Sequence, residues 1–278
     1  MVLYPLDGAN ITSSGTRSRP NQGISAWGAV EQKQKQPAAA WLLVTQPDHA
    51  GLAGDLAARI SSPDFPKLQP DVIPAIAGHD AGWAQFDRHV PSVSETATTA
   101  ESGLCTVSRQ PKPRSFLEMT PEILLVAWRD SIAHAEDVSA IAGILVSCHF
   151  SRLAEHRLQT VEDTPENAEQ IQAFLLYEAQ RQKRLAESDK RSAQEIEILV
   201  DVLQFCDVLS LYLCCGAHAT VQFSQRFGGR AIRLHSEGEL YRTQPALFGP
   251  GVSLGVRARR QPPSPHESSE VIIPFLLV

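Results

Sequence analysis

His79 and Asp80 stand side by side inside "AGHDAGW", residues 77–83, a run that is otherwise small and apolar. A carboxylate in such surroundings costs free energy unless it is paired, hydrogen-bonded or bound to a metal. The apolar spacing predicts a helix over 71–87. On that helix Asp80 shares a face with Ile73, Ile76 and Ala77, and His79 shares one with Val72, Ile76 and Trp83. Both polar groups would then point at the core. The pattern recurs elsewhere in the chain. Asp207 falls on the line of Val200, Leu203, Leu211 and Cys214, and no Lys or Arg lies between Arg191 and Arg226 to neutralise it locally. His149 sits among Leu145, Val146 and Leu153, and His49 precedes Leu52, Ala53 and Leu56. Taken singly, a core-facing His reads as a hydrogen-bonded structural residue and a buried Asp as a cap. Taken together, clustered carboxylates repel one another without a cation, and a metal shared with the imidazoles neutralises them most naturally. Two imidazoles and two carboxylates suit Mn, Fe, Zn, Co or Ni without deciding among them.

Such groups must be brought together by several elements. "AWLLV", residues 40–44, reads as a strand. "TQPDHAGLAGDLAARI" then opens a helix, with Thr45 and Asp48 as a capping box and Pro47 in its first turn. Further helices are expected over 121–135, 138–157 and 192–216. A long charged helix is capped at Thr164, with Pro165 just inside it. From 219 onward the pattern changes to short β-like runs and Gly/Pro turns, closing with "VIIPFLLV". Residues 1–37 lack apolar periodicity and read as a disordered extension, and 89–115 as a flexible insert. The expected fold is mainly all-α, a helical bundle over 38–218. A short extended section, 219–278, packs on the same domain.

These residues resemble the HD-domain superfamily of metal-dependent phosphohydrolases: a first His49, the doublet His79-Asp80 followed by Gly82, and a late Asp207 in "CDVLSLYL". The gaps are thirty residues from His49 to His79 and one hundred and twenty-seven from Asp80 to Asp207. A closer resemblance is to an uncharacterised bacterial family of unknown function, in "TQPDHAGLAGDLA", "HDAGW", "LVSCHFSRLA" and "CDVLSLYLC". The resemblance implies an HD-domain-like helical bundle in which His49, His79, Asp80 and Asp207 hold a divalent metal. It implies hydrolysis of a phosphate ester or nucleotide by a metal-activated water. Asp80 and His149 are then the candidate catalytic groups. Arg152, one turn after His149, is the expected phosphate contact, and Trp83 a further substrate contact. Histidines between the doublet and the last Asp, here His134 and His149, also occur in di-iron oxygenases of that fold, which is one alternative. A non-catalytic ligand-binding or structural domain is another.

Composition narrows the partners. The net charge is −6 and the pI about 5.8, which argues against a chain built to coat nucleic acid. "RARR", 257–260, is a short basic patch without interleaved aromatics, and "FGGR" and "GPGVSLG" read as turns. The partner expected is a small molecule, phosphorylated or not, with neither nucleic acid nor membrane. Five cysteines with no C-x-x-C pair read as buried thiols, and Cys148 beside His149 does not form a catalytic pair, because adjacent helical residues diverge by ~100°. The N-terminal segment lacks the apolar core of a secretion signal, so a soluble cytoplasmic protein is expected.

Overall fold

The computed structural model describes residues 1–6, 24–88, 113–237, 240–261 and 269–278. Eight helices are present among them. They are α1 (Ala26–Lys35), α2 (Gln46–Arg59), α3 (Val72–Ala77), α4 (Ala84–Asp87), α5 (Pro121–Val138), α6 (Ala140–Thr160), α7 (Pro165–Ala186) and α8 (Ala193–Cys214). Eight strands accompany them: β1 (Val2–Leu6), β2 (Ile24–Ser25), β3 (Ala40–Val44), β4 (Val221–Phe227), β5 (Arg230–Glu237), β6 (Leu240–Gln244), β7 (Val252–Gln261) and β8 (Glu270–Leu277). All eight strands form one sheet in the order β1-β3-β7-β8-β6-β5-β4-β2. The β2–β4 and β6–β8 pairs are parallel and the others antiparallel.

The expected all-α bundle is therefore wrong. The mixed sheet curls into a half-barrel, and the fold is α/β. The C-terminal runs are not a short appendage. Their alternating residues Phe223, Leu234, Tyr241, Val256, Ile273 and Phe275 face the same continuous core as Val200, Leu203, Phe205 and Leu209 of α8. A sheet with one face in that core is half of the fold.

The extension expected over 1–37 is corrected in the same way where it is described. Val2–Leu6 is an edge strand paired with β3, and α1 packs on α8. The stretch "EQKQKQP", read as unstructured, contains Gln34, which is buried. Its amide donates to the Leu3 carbonyl at 2.9 Å and accepts from the Leu3 N–H at 3.0 Å. One side chain thus takes the place of a neighbouring strand along the open edge of β1, which would otherwise offer unpaired backbone groups. Residues 7–23 lie outside the described residues, as does most of the insert expected at 89–115. The end of that insert is described, and there Ser115 is buried and donates to Gln34 at 2.8 Å.

The helices follow their sequence signals closely. Thr45 Oγ1 accepts from the Asp48 N–H at 3.1 Å, and Thr164 caps α7 through the Asn167 N–H. Asp87 closes a second bond at the start of α2, accepting from the Gln46 N–H at 2.6 Å. The single helix expected over 71–87 is the exception. It stops at Ala77, and His79 and Asp80 lie on a turn ahead of a 3₁₀ turn at Ala81–Trp83. Two glycines draw the surrounding elements tight. A Cβ on Gly54 of α2 would lie 2.5 Å from the Ala77 Cβ, and one on Gly82 would lie 2.2 Å from the Ala127 carbonyl oxygen of α5. Among the described residues no helix is long and apolar enough to cross a membrane.

Candidate metal centre

Three segments converge on one buried point. His49 comes from the first turns of α2, His79 and Asp80 from the turn after α3, and Asp207 from the middle of α8. His49 Nε2 lies 2.8 Å from Asp80 Oδ2, and His79 Nε2 lies 3.4 Å from Asp207 Oδ1 and 3.8 Å from Asp80 Oδ2. His149, on α6, brings its Nε2 to 3.8 Å from Asp207 Oδ2. All five residues are buried, Asp80 at 7% and Asp207 at 6% exposure. One donor atom each from His49, His79 and Asp207 lies within 4.8 Å of the others, so these three could hold a metal ion.

The hydrogen-bond directions fix the imidazole tautomers. His79 Nδ1 is 2.8 Å from the Ile76 carbonyl, which can only accept, so this nitrogen carries hydrogen. Ser210 gives its one hydroxyl hydrogen to the Asp207 carbonyl at 2.8 Å. It must therefore accept from His49 Nδ1, at 3.0 Å. Both histidines thus commit Nδ1–H outward and turn an Nε2 lone pair toward carboxylate oxygens. Lone pair against carboxylate is repulsive, so a cation belongs between them, either a proton or a metal. Without metal the proton serves. Burial alone would lower the His79 pKa, but the Asp80 and Asp207 carboxylates outweigh it and raise it to about 9. Burial works against ionisation of Asp207 too, yet the bond and charge of His79, with the other imidazoles, hold it at about 2. Burial wins at His149, which falls to about 4 and stays neutral.

The donor set also fits a metal in size. Two donors each ~2.1 Å from a shared ion stand about 3.0 Å apart at a right angle and about 3.4 Å apart at the tetrahedral angle. The 3.4 Å from His79 Nε2 to Asp207 Oδ1 matches the tetrahedral value, the 2.8 Å from His49 Nε2 to Asp80 Oδ2 is also a hydrogen-bond length, and the 3.8 Å from His79 Nε2 to Asp80 Oδ2 is wider than both values. Within the cluster, His79 Nε2 reaches Asp207 Oδ1 only at 3.4 Å, and His149 Nδ1 has no hydrogen-bond partner.

A cavity of about 320 Å³ opens onto the cluster. His49, Asp80, His149 and Asp207 form its inner end. Its walls include Trp83, Leu153 and two aromatic pairs, Trp128 stacked on Phe150 at 5.3 Å and Trp27 edge-on to Phe116 at 6.2 Å. The outer end is lined by Glu31, Lys35, His156, Arg157 and Thr160. His149, Leu153, His156, Arg157 and Thr160 follow one face of α6, so Arg157 stands ~12 Å along the helix from His149 at 1.5 Å per residue.

The expected site residues thus divide. His49, His79, Asp80, His149 and Asp207 come together, and Trp83 lines the same cavity. Arg152 does not join them. Three acceptors on α8 hold its guanidinium: Asp201 at 2.7 Å, Gln204 at 2.6 Å and Glu197. The position one turn after His149 is turned away from the cavity face, and those acceptors take up the charge. His134 is exposed, lies near Gly78, and does not line the cavity. The sequence reading missed Ser210, whose spacing one turn after Asp207 was a usable signal, and the outer group Lys35, His156 and Arg157. Of the cysteines read as buried thiols, Cys206, Cys214 and Cys215 are buried and Cys148 is half-buried, its thiol pushed up to about 11 by burial, while Cys105 lies outside the described residues.

No curated protein and no solved structure gave a match. A family model described as protein of unknown function (DUF3891) matches residues 34–260. That match carries neither the HD-domain nor the hydrolase assignment that the motifs suggested. It spans every residue of the cluster, and the chain belongs to the DUF3891 family.

Proposed function

We propose that this protein is a metal-dependent hydrolase acting on a phosphate ester of a small molecule. One observation carries the proposal. Two buried histidines with outward-committed Nδ1–H groups aim Nε2 lone pairs at two aspartates, at the inner end of an open cavity. A purely structural network would have no need of a cavity there. The order His49, His79-Asp80, Asp207 is also what gave the resemblance to HD-domain phosphohydrolases. The likeness lies in the donor set rather than in the α/β fold around it.

His49, His79 and Asp207 would hold the ion, with Asp80 as a further carboxylate ligand or a base toward bound water. A divalent metal of the Mn, Fe, Zn, Co or Ni group supplies an acidified water and polarises the phosphoryl oxygen. The new bond runs from the water oxygen to phosphorus, and the bond from phosphorus to the alcohol oxygen breaks. His149, neutral and lining the cavity beside Asp207, would take the water proton and return it to the leaving alcohol oxygen. The products are an alcohol and inorganic phosphate. A di-iron arrangement needs a second ligand set, and among the described residues His149 is the only imidazole beyond His49 and His79 to reach the cluster.

The test is turnover of phosphate monoesters by metal-loaded protein, with and without chelator, beside Asp80→Asn and His149→Ala. Turnover that chelator abolishes and that falls by ~10²-fold or more in His149→Ala supports the proposal. Turnover indifferent to chelator, or none with any ester while metal is bound, contradicts it.

A further inference from the structure

The cavity differs along its length, and the difference bears on what enters it. At the inner end the polar groups are the metal-binding cluster and His149, and no Lys or Arg is among the described residues lining that end. Arg152, the cation expected there, is bound to three groups of α8. The middle is walled by Trp128 stacked on Phe150, by Trp83 and by Leu153. The outer end balances its charges. Glu31 faces the cavity one turn before Lys35, and Arg157 is held bidentately by Asp163 at 2.6 and 2.7 Å. A polyphosphate needs several cations or backbone donors along its path, and a sugar needs a row of hydrogen-bonding partners. Neither lines the middle of this cavity. Aromatic side chains and a leucine suit a flat apolar body, which packs against them and leaves water as it enters.

Resting on the hydrolase reading for what happens at the inner end, we infer that the substrate is a monoester of an aromatic, apolar alcohol. Its single phosphate meets the metal, and its ring system lies between Trp128, Phe150, Trp83 and Leu153. Nucleotides and sugar phosphates are poor substrates. With no Lys or Arg among the described residues at the inner end, a single phosphate, balanced by the metal and the imidazoles, fits best.

Two measurements on the metal-loaded full chain separate this inference from the hydrolase reading. The first follows 2-naphthol binding by tryptophan fluorescence, since Trp27, Trp83 and Trp128 line the cavity. Saturable binding is expected, weakened about tenfold or more by Leu153→Glu with metal content unchanged. Trp128→Ala should act in the same direction. Because Trp128 also packs on Phe174 in the core, Leu153→Glu is the decisive variant if Trp128→Ala fails to fold. No saturable binding, or binding untouched by Leu153→Glu, overturns the inference. The second compares 2-naphthyl phosphate with glycerol phosphate and a nucleoside monophosphate. A preference in kcat/KM on the order of a hundredfold for the naphthyl ester is expected from burial of its rings. Equal or faster cleavage of either polar ester overturns the inference and leaves the hydrolase reading standing. If no ester is cleaved yet 2-naphthol binds as described, the hydrolase reading falls and the apolar ligand class stands.

Discussion

Helices α6 and α8 meet through two polar clusters one turn apart, and the two are built on opposite principles. At Arg152 a guanidinium from α6 meets Glu197, Asp201 and Gln204 of α8, and the cluster lies at the protein surface, where Arg152 is 25% exposed. Its acceptors match its donors, and it does not line the cavity that opens onto the inner cluster. At His149 and Asp207, one turn further in, imidazoles and carboxylates lie buried, and His49, Asp80, His149 and Asp207 line an open cavity. The first cluster is complete by itself and fastens two helices. The second, on the proposed reading, is completed by a metal ion. The contrast separates a structural polar cluster from a site more firmly than residue types do, since both contain an acidic residue of α8 and a basic one of α6.

Substitutions should keep the two clusters apart. The largest effect is expected at Asp207→Asn, which removes a ligand from the inner cluster. Metal affinity should fall by more than the ~10²-fold typical of a lost supporting contact, read by competition with a chromophoric chelator. Retention of wild-type affinity would mean that Asp207 belongs with the structural kind. Next is Gly82→Ala, whose Cβ would meet the Ala127 carbonyl at 2.2 Å and the Ser131 nitrogen at 2.5 Å. The turn carrying His79 and Asp80 must then shift away from α5. Denaturant titration should show a loss of about 1–3 kcal/mol, the usual cost of overpacking. An unchanged midpoint would show that the turn is not pinned there.

A pH series tests the cation itself. His79 is raised from 6.5 to about 9 in the metal-free site. Its proton therefore stabilises the metal-free fold fully below pH 6.5, and that contribution is lost as pH rises through about 9. Metal displaces the same proton, so metal affinity should rise with pH across this window, by about tenfold per unit for one proton released. Calorimetry in buffers of different ionisation enthalpy counts the proton, and zero release would contradict the shared-cation account. The smallest effect belongs to Arg152→Met, which keeps the packed stem and removes the charge. A part-exposed cluster is screened, so a stability loss of about 1 kcal/mol and a change in metal affinity below about tenfold are expected. A loss as deep as that of Asp207→Asn would erase the distinction between the clusters.

The inner cluster was legible because each member broke an apolar pattern: a charge on an apolar line of α8, a doublet among small residues, a His on the apolar face of α6. Helix periodicity even pointed His79 and Asp80 inward, although a turn and not a helix presents them. Arg152 misled because one turn after His149 is near the cavity face but not on it, and its partners stand more than forty residues away on α8. The sheet was harder to read. Its strands alternate as expected, but β3 pairs with β7 across the whole helical layer, and β2 is two residues long. Nothing local announces pairings of that span. Gln34 is the clearest case: a glutamine in a polar run gives no local sign that it caps the edge of β1.

A metal ion held by the inner cluster is what joins these outcomes. Its presence is tested most directly by elemental analysis of the full chain, purified without added metal or a polyhistidine tag, beside His79→Ala. About one equivalent of Mn, Fe, Zn, Co or Ni per chain, absent from the variant, is the result expected. No metal in the native protein, even after reconstitution with each of these ions, would make the cluster a proton-bridged structural network and contradict the account.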